Sequence, residues 1–250
     1  VMGPQHNYIA AFLTFACNLK CSYCINHFEA EIIRRPMISG KEWVAALNRI
    51  VSRDDLPITL QGGEPSLHPD FYYILNNVKR ELNIDILTNL QFDVDEFMQK
   101  VGPQRIKRKS PYASIRVSYH PETMDLEALV PKVVRLLEAG YSVGIWAVAH
   151  PSYEKVITEA HKRCQGLGID FRLKDFLGEW QGRLYGTYRY QGACEKKFKK
   201  NVLCRTTELL MDSAGSVFRC HADLYSGQNP VGCITDPDFA IDDSFRPCAI

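Results

Sequence analysis

Cys17-Asn18-Leu19-Lys20-Cys21-Ser22-Tyr23-Cys24 places three thiols within eight residues. Thiolates ligate zinc and iron–sulfur clusters, and three on so short a loop can close around one inorganic core only if the backbone turns tightly. Three protein ligands on a four-iron cluster leave one iron open to a further molecule. His27, three residues past Cys24, offers the alternative of a Cys3His zinc site. A second run, Gln61-Gly62-Gly63-Glu64-Pro65, carries adjacent glycines, which let a ligand approach the main chain closely.

The elements that would position these residues alternate along the first 180 positions. Patterning predicts strands at Tyr8–Phe15, Ile58–Gln61, Ile84–Leu90, Ser114–Tyr119, Ser142–Ala149 and Ile169–Phe176. It predicts helices at Lys41–Val51, Phe71–Leu82, Asp93–Val101, Leu126–Ala139 and Tyr153–Leu167. Glycines and prolines such as Pro57, Pro121, Gly140 and Gly168 punctuate the boundaries. Consecutive parallel strands need connections long enough to hold a helix, so this alternation predicts an α/β fold, a partial (β/α)6 barrel. Chemistry in such a barrel sits at the carboxyl ends of the strands. The cysteine run follows the first predicted strand and the glycine run ends the second. Thr88 and Asn89 end the third, Ser118, Tyr119 and His120 the fourth, and His150 follows the fifth. Arg172 and Lys174, on the sixth, could neutralise a carboxylate or be solvated or ion-paired.

Past Trp180 the composition changes, with Gly and Tyr enriched over 182–192 and cysteines recurring thereafter at 194, 204, 220, 233 and 248. The expected organisation is a barrel over 1–180, a linker over 181–192 and a small cysteine-held annex over 193–250. Tyr185, Tyr188 and Tyr190 could line the passage between barrel and annex or simply pack at a hinge. The nine cysteines are odd in number and unevenly spread, which fits ligation in a reducing compartment better than a secreted disulfide scaffold. Cys164, within the fifth predicted helix, reads as a buried, inert thiol. Thirty Lys and Arg against twenty-nine Asp and Glu leave +1, so a nucleic-acid partner is unsupported, and the basic runs 105–109 and 196–200 read as solvated. Apolar runs such as Val143–Ala149 fall far short of the roughly 20 residues that span a bilayer, and the expectation is a cytoplasmic protein with no membrane partner.

On the C-x3-C-x2-C run after the first strand, with Tyr23 before its last cysteine, and the G-G-E-P run after the second, the chain resembles the radical S-adenosylmethionine (radical SAM) enzymes. The resemblance implies that Cys17, Cys21 and Cys24 hold a [4Fe-4S] cluster whose open iron chelates the amine and carboxylate of S-adenosylmethionine (SAM). It assigns Gly62, Gly63, Glu64 and Pro65 to the SAM amino group, largely through backbone groups, and Asn89 and Ser118 to the ribose or carboxylate. Ser118-Tyr119-His120-Pro121 keeps the serine of a Ser-Ile-Asp-Gly pattern common in the family and departs from the rest. Cys204, Gly215 and Cys220, in C-x10-G-x4-C spacing, resemble the opening of the SPASM and shorter twitch annexes, built around a β-hairpin with its turn at 212–215. That likeness implies an auxiliary [4Fe-4S] cluster on Cys194, Cys204, Cys220 and Cys248, with Cys233 as alternate ligand; a structural zinc is the competing reading. By the same resemblance a flavodoxin or ferredoxin-type donor supplies an electron, SAM splits to a 5′-deoxyadenosyl radical, and a substrate loses a hydrogen atom. A peptide or protein substrate stands first, with a sugar, nucleoside or lipid precursor as the alternative. A non-catalytic iron–sulfur or zinc scaffold or electron carrier is the reading from another class.

Overall fold

The computed structural model describes residues 6–28, 31–32, 34–53, 56–185, 203–205, 208–241 and 244–247. The alternation predicted from patterning is present as β1 (Tyr8–Thr14), α1 (Gly40–Leu47), β2 (Ile58–Gly62), α2 (Phe71–Asn77), β3 (Ile84–Thr88), α3 (Val94–Lys100), β4 (Ile115–Tyr119), α4 (Leu126–Glu138), β5 (Val143–Ala149), α5 (Glu154–Gly166) and β6 (Phe171–Asp175). β7 (Glu208–Met211), β8 (Ser216–Phe218), α6 (His221–Ser226) and β9 (Gly232–Cys233) follow. Local chemistry sets several of these boundaries. Ser39 and Glu42 form a reciprocal capping box that starts α1, satisfying two of the amide donors a helix start leaves open. α2 stops at Asn77, five residues short of the predicted end, because Val78 adopts an extended backbone.

The strands form one sheet in the order β9-β8-β7-β1-β2-β3-β4-β5-β6, with every neighbour from β7 through β6 parallel. Strand alternation gives the sheet two faces of different character. Ile9, Ala11, Leu13, Ile58, Leu60, Ile86, Val117 and Ile145 join Trp43, Phe71, Phe97, Val133 and Ile157 of the helices in one large core. Ala10 and Phe12 turn the other way and pack with Phe15, Leu210, Phe218 and Leu224. Helices α1–α5 thus cover one face of an open, mostly parallel sheet, which makes the fold α/β.

The hairpin predicted near Asp212 forms, and it does not stand apart. Its first strand, β7, adds to β1 in parallel, pairing Tyr8 with Glu208 and Ala11 with Met211. The boundary expected after Trp180 falls inside a second hairpin, Gly178–Trp180 against Arg183–Tyr185. Gln181 and Gly182, at φ 50° and 73°, supply the two left-handed residues a tight two-residue turn requires. A two-residue antiparallel pair joins Leu203–Cys204 to Arg246–Pro247. Among the described residues no helix is long and apolar enough to cross a membrane.

Of the basic run 105–109, read as solvated, Lys107 and Lys109 are exposed as expected, whereas the structure corrects the reading for Arg105 and Arg108. Arg105 donates to the carbonyls of Leu75, Val78 and Leu82 at 2.7, 3.1 and 3.2 Å, taking up acceptors that the end of α2 leaves without helical partners. Arg108 grips buried Asp85 with Nε and Nη2 at 2.8 and 2.9 Å. Arg116 reaches the same carboxylate at 3.3 Å and Thr59 Oγ1 at 3.1 Å, completing a polar floor beneath the other face of the sheet. Removing Asp85 would strand two enclosed guanidinium groups. Asp85→Ala is expected to cost about 3–5 kcal/mol and to lower the urea midpoint by about 1 M or more. A midpoint equal to wild type would show that the floor contributes nothing to stability.

Candidate functional site

A cavity of about 350 Å³ opens on the sheet face opposite helices α1–α5, at the carboxyl ends of the strands. Cys17, Cys21 and Cys24 line it together with Gly62, Gly63, Asn89, Ser118 and His120 from the ends of β2, β3 and β4. Trp146, Val148 and Lys174 complete the wall from β5 and β6, and Tyr225 of α6 faces it from the opposite side. The three thiols are free and electrostatically coupled, with Cys17 and Cys24 each acting on Cys21. Burial raises the pKa of all three, that of Cys21 to about 11, so the bare thiols hold their protons near neutral pH. A cationic metal core inverts that balance, because a coordinating thiol gives up its proton. Among the described residues no three His, Cys, Asp or Glu side chains close on a point that a single metal ion would occupy. Three free thiols lining one cavity are the donor type that an iron–sulfur core takes.

The glycine run builds the foundation of the cysteine loop. Gly63 N–H donates to Thr14 O and Glu64 N–H to Ala16 O, both at 2.8 Å, so the chain leaving β1 is held against the end of β2. A Cβ on Gly62 would stand 2.0 Å from Thr14 O, and one on Gly63 would stand 2.2 and 2.5 Å from the carbonyls of Ala16 and Phe15. The glycines are therefore required by the protein's own backbone, and backbone atoms cannot swing aside as side-chain ends do. Asn26 Nδ2 closes the far end of the loop on Gly62 O at 2.8 Å.

Glu64 and Pro65 lie outside the cavity lining, so the structure divides a run that the resemblance gives as a whole to the cofactor. The Glu64 side chain turns into the protein, where its carboxylate accepts from Thr88 Oγ1 at 2.8 Å, Asn89 N at 2.7 Å and Ser66 Oγ at 2.7 Å. Burial pushes its pKa up against these hydrogen bonds, which favour the charged form. Glu64 thus braces the end of β3, and Asn89 in turn donates to Asn18 Oδ1 at 2.7 Å with Cys17 Sγ at 3.8 Å.

Residues 120–124 grip the loop from the other side, a role the sequence did not disclose. Glu122 accepts from Ser22 N at 2.8 Å, and Thr123 Oγ1 lies 3.5 Å from Cys21 Sγ. Tyr23 Oη meets His120 Nδ1 at 3.3 Å, and its ring stacks on His150 with centroids 5.1 Å apart. Burial lowers the pKa of both histidines and raises that of Tyr23. His150 does not line the cavity; it packs edge-on against Phe176 and Trp180. Arg172 is ion-paired to Asp170 at 2.9 Å, whereas Lys174 reaches the cavity.

Arg35 fastens α6 beside this site. It pairs with Asp212 at 2.8 Å, donates to Leu224 O, and lies over the rings of Phe15 and Phe218 at 5.0 and 5.4 Å. Cys220 caps α6 by accepting from Asp223 N, and burial raises its pKa to about 11. Cys233 Sγ lies 3.0 Å from Thr235 Oγ1. Cys204 pairs through its backbone with Arg246. Cys194, Cys248, Tyr188, Tyr190 and the basic run 196–200 lie outside the described residues. Cys164 is a fully buried thiol in α5, as expected.

With this geometry in place, residues 12–108 match the family model of the radical SAM superfamily. That match takes in both the cysteine run and the glycine run. Several of the relatives this chain matches are named as GTP 3′,8-cyclases. The mitochondrial GTP 3′,8-cyclase of Arabidopsis thaliana is 35% identical over 91 residues, which cover 35% of this chain and 23% of that protein. A probable GTP 3′,8-cyclase of Methanopyrus kandleri is 28% identical over 156 residues, covering 59% and 47%. The chain thus spans less than half the length of these two relatives. In fold it is similar to Streptococcus suis SuiB bound to S-adenosylmethionine, with a TM-score of 0.60 and 20% identity over 94% of this chain and 66% of that one. It is also similar to anSMEcpe with bound AdoMet, with a TM-score of 0.62 and 16% identity over 92% and 78%.

The close contact of Gly63 with the loop start makes a direct expectation. Gly63→Ala should keep its secondary structure by circular dichroism yet retain about half or less of the wild-type iron after anaerobic reconstitution, since the loop must shift to admit a methyl group. Wild-type iron content would show that the loop's position does not depend on this contact.

Proposed function

We propose that the protein is a radical SAM enzyme that holds a [4Fe-4S] cluster on Cys17, Cys21 and Cys24 and acts on a small-molecule substrate in the adjoining cavity. The observation that carries the reading is the convergence of three free thiols on one cavity at the strand ends. When bound, the cluster supplies the electron that splits SAM to methionine and a 5′-deoxyadenosyl radical, which takes a hydrogen atom from the substrate.

The chain's own contribution is placement. Gly62 and Gly63 fix where the thiolate loop begins, and Asn26 fixes where it ends. Glu64 orients Asn89 toward Cys17, while Thr123 approaches Cys21 and Glu122 anchors the loop's midpoint. Ser118 and Asn89 present polar groups to SAM from β4 and β3, and Phe12, Leu87 and Val148 give the cavity apolar walls that exclude water.

For the substrate, the names of the matched relatives favour a small molecule over a peptide, since they are GTP 3′,8-cyclases. The solved structures resemble this chain in fold alone and do not shift that choice. We assign an auxiliary cluster to the C-terminal cysteines in a twitch-like annex over 193–250. The pairing of Cys204 with Arg246, two residues before Cys248, supports it by drawing those two segments together. A flavodoxin or ferredoxin-type protein is the proposed electron donor, and the cytoplasm the proposed compartment.

The test is anaerobic reconstitution followed by dithionite and SAM. Wild type is expected to release 5′-deoxyadenosine, and a Cys17→Ala, Cys21→Ala, Cys24→Ala variant to release none. Failure of the wild type under all reducing conditions would favour a non-catalytic metal scaffold. The same variant is expected to keep about four irons on the auxiliary cysteines. An iron-free variant would remove the auxiliary cluster from the reading.

A further inference from the structure

Cys21 is the buried member of the three loop thiols, and the group against its sulfur comes from a distant part of the chain. Thr123 Oγ1 lies 3.5 Å from Cys21 Sγ, across 102 positions of sequence. A protonated Cys21 could donate to that oxygen or accept from it. A cysteine that ligates a metal is a thiolate with no proton to give, so the Thr123 hydroxyl then becomes the donor. Cys17 draws its hydrogen bonds from elsewhere, from Leu19 N at 3.4 Å and Asn89 Nδ2 at 3.8 Å.

The segment that carries Thr123 is braced at both ends. Thr123 N and Met124 N donate to His120 O at 3.0 and 2.9 Å, which closes a turn between β4 and α4. Met124 is buried in the main core, and Asp125 caps α4 by accepting from Glu127 N. Glu122, one position before Thr123, aims its carboxylate at the same loop. Its Oε2 accepts from Ser22 N at 2.8 Å and from Ser22 Oγ at 3.2 Å, which brings a negative charge to the amide that follows Cys21. Glu122 and Thr123 are themselves exposed, so either can be substituted without opening the core.

Hydrogen bonds to the sulfurs and net charge nearby are among the quantities that set an iron–sulfur reduction potential. A donor on a ligand sulfur stabilises the more negative, reduced cluster, whereas a neighbouring carboxylate disfavours it. We propose that Thr123 and Glu122 set the potential of the cluster on Cys17, Cys21 and Cys24 in opposite directions, Thr123 raising it through its hydroxyl on Cys21 and Glu122 lowering it through its charge. The assignment rests on the cluster reading above and gives two residues after β4 a function that positioning alone does not.

The experiment is a redox titration of the reconstituted protein without SAM, monitored by EPR on the reduced-cluster signal that the Cys17→Ala, Cys21→Ala, Cys24→Ala variant lacks. Thr123→Val keeps the side chain's shape and removes the donor. It is expected to shift the reduction equilibrium about fivefold toward the oxidised cluster, roughly 40 mV downward for a one-electron couple. Thr123→Ser should keep the wild-type potential. Glu122→Gln retains an oxygen that can accept from Ser22 N, and should shift the equilibrium about twofold the other way. Added salt should shrink the Glu122→Gln shift and leave the Thr123→Val shift in place. A loop merely loosened by substitution would lose iron or move both potentials with the same sign; that result, or an unmoved potential in either variant, would overturn the proposal. The wild-type signal reports separately on the reading beneath. Its absence would remove the cluster from these cysteines and the proposal with it, whereas its presence with unmoved potentials would remove the proposal alone.

Discussion

Two peptide hydrogen bonds, from Gly63 to Thr14 and from Glu64 to Ala16, determine where the cysteine loop can begin. They require the chain leaving β1 to touch the chain leaving β2 at a separation no side chain tolerates. Once that contact is made, the rest of the site follows by short range. The Glu64 carboxylate is carried beneath the ends of β2 and β3, Asn89 is turned toward Cys17, and Asn26 returns to Gly62. Residues 120–124 then complete a ring of contacts around the loop from the β4 side. The thiols are raised in pKa by their surroundings, so this ring holds them near one another in a form that awaits a cationic core.

The sheet face opposite helices α1–α5 is divided by charge as well as by distance. Near β1 its lower part is apolar, with Ala10, Phe12 and Leu210 packed together. Near β3 and β4 it becomes a polar floor, in which one buried aspartate serves two arginines. Toward β6 the exposed side chains of Lys174 and Asp175 line the cavity next to each other. The fold thereby presents two unlike ends to whatever occupies it: thiols on one side and charged side chains of both signs on the other.

Much of this was legible in the sequence, because the informative signals were local. Strand and helix positions followed from periodicity and from Pro and Gly punctuation. The three cysteines and the two glycines carried their chemistry in their spacing, and all five line the cavity. What escaped were relationships between distant segments. Nothing in 105–109 announces that Arg105 meets the end of α2 or that Arg108 enters the floor, since a basic run on a surface has the same composition. The grip of Glu122 and Thr123 on residues about a hundred positions earlier is likewise a product of strand order. For Trp146 and Lys174 a signal did exist: counted along β5 and β6, they fall on the alternation that faces inward. The hairpin at Asp212 was legible from its turn, but the neighbour it would choose was not, because a four-residue strand has no local mark of which edge it will join.

That choice of neighbour has a consequence for synthesis. β1 emerges early from the ribosome together with the cysteine loop, while β7, which covers its outer edge, is made after nearly all of the sheet. Until Glu208–Met211 is translated, the strand that anchors the cysteine loop is paired on one side only and its inward face lacks Leu210, Phe218 and Leu224. Chains grow at about 5–20 residues per second, so the nascent thiols pass through an interval in which their platform is incomplete. The platform beneath the three thiols is therefore complete only once β7 has been added, and the two halves of the chain form a single assembly unit.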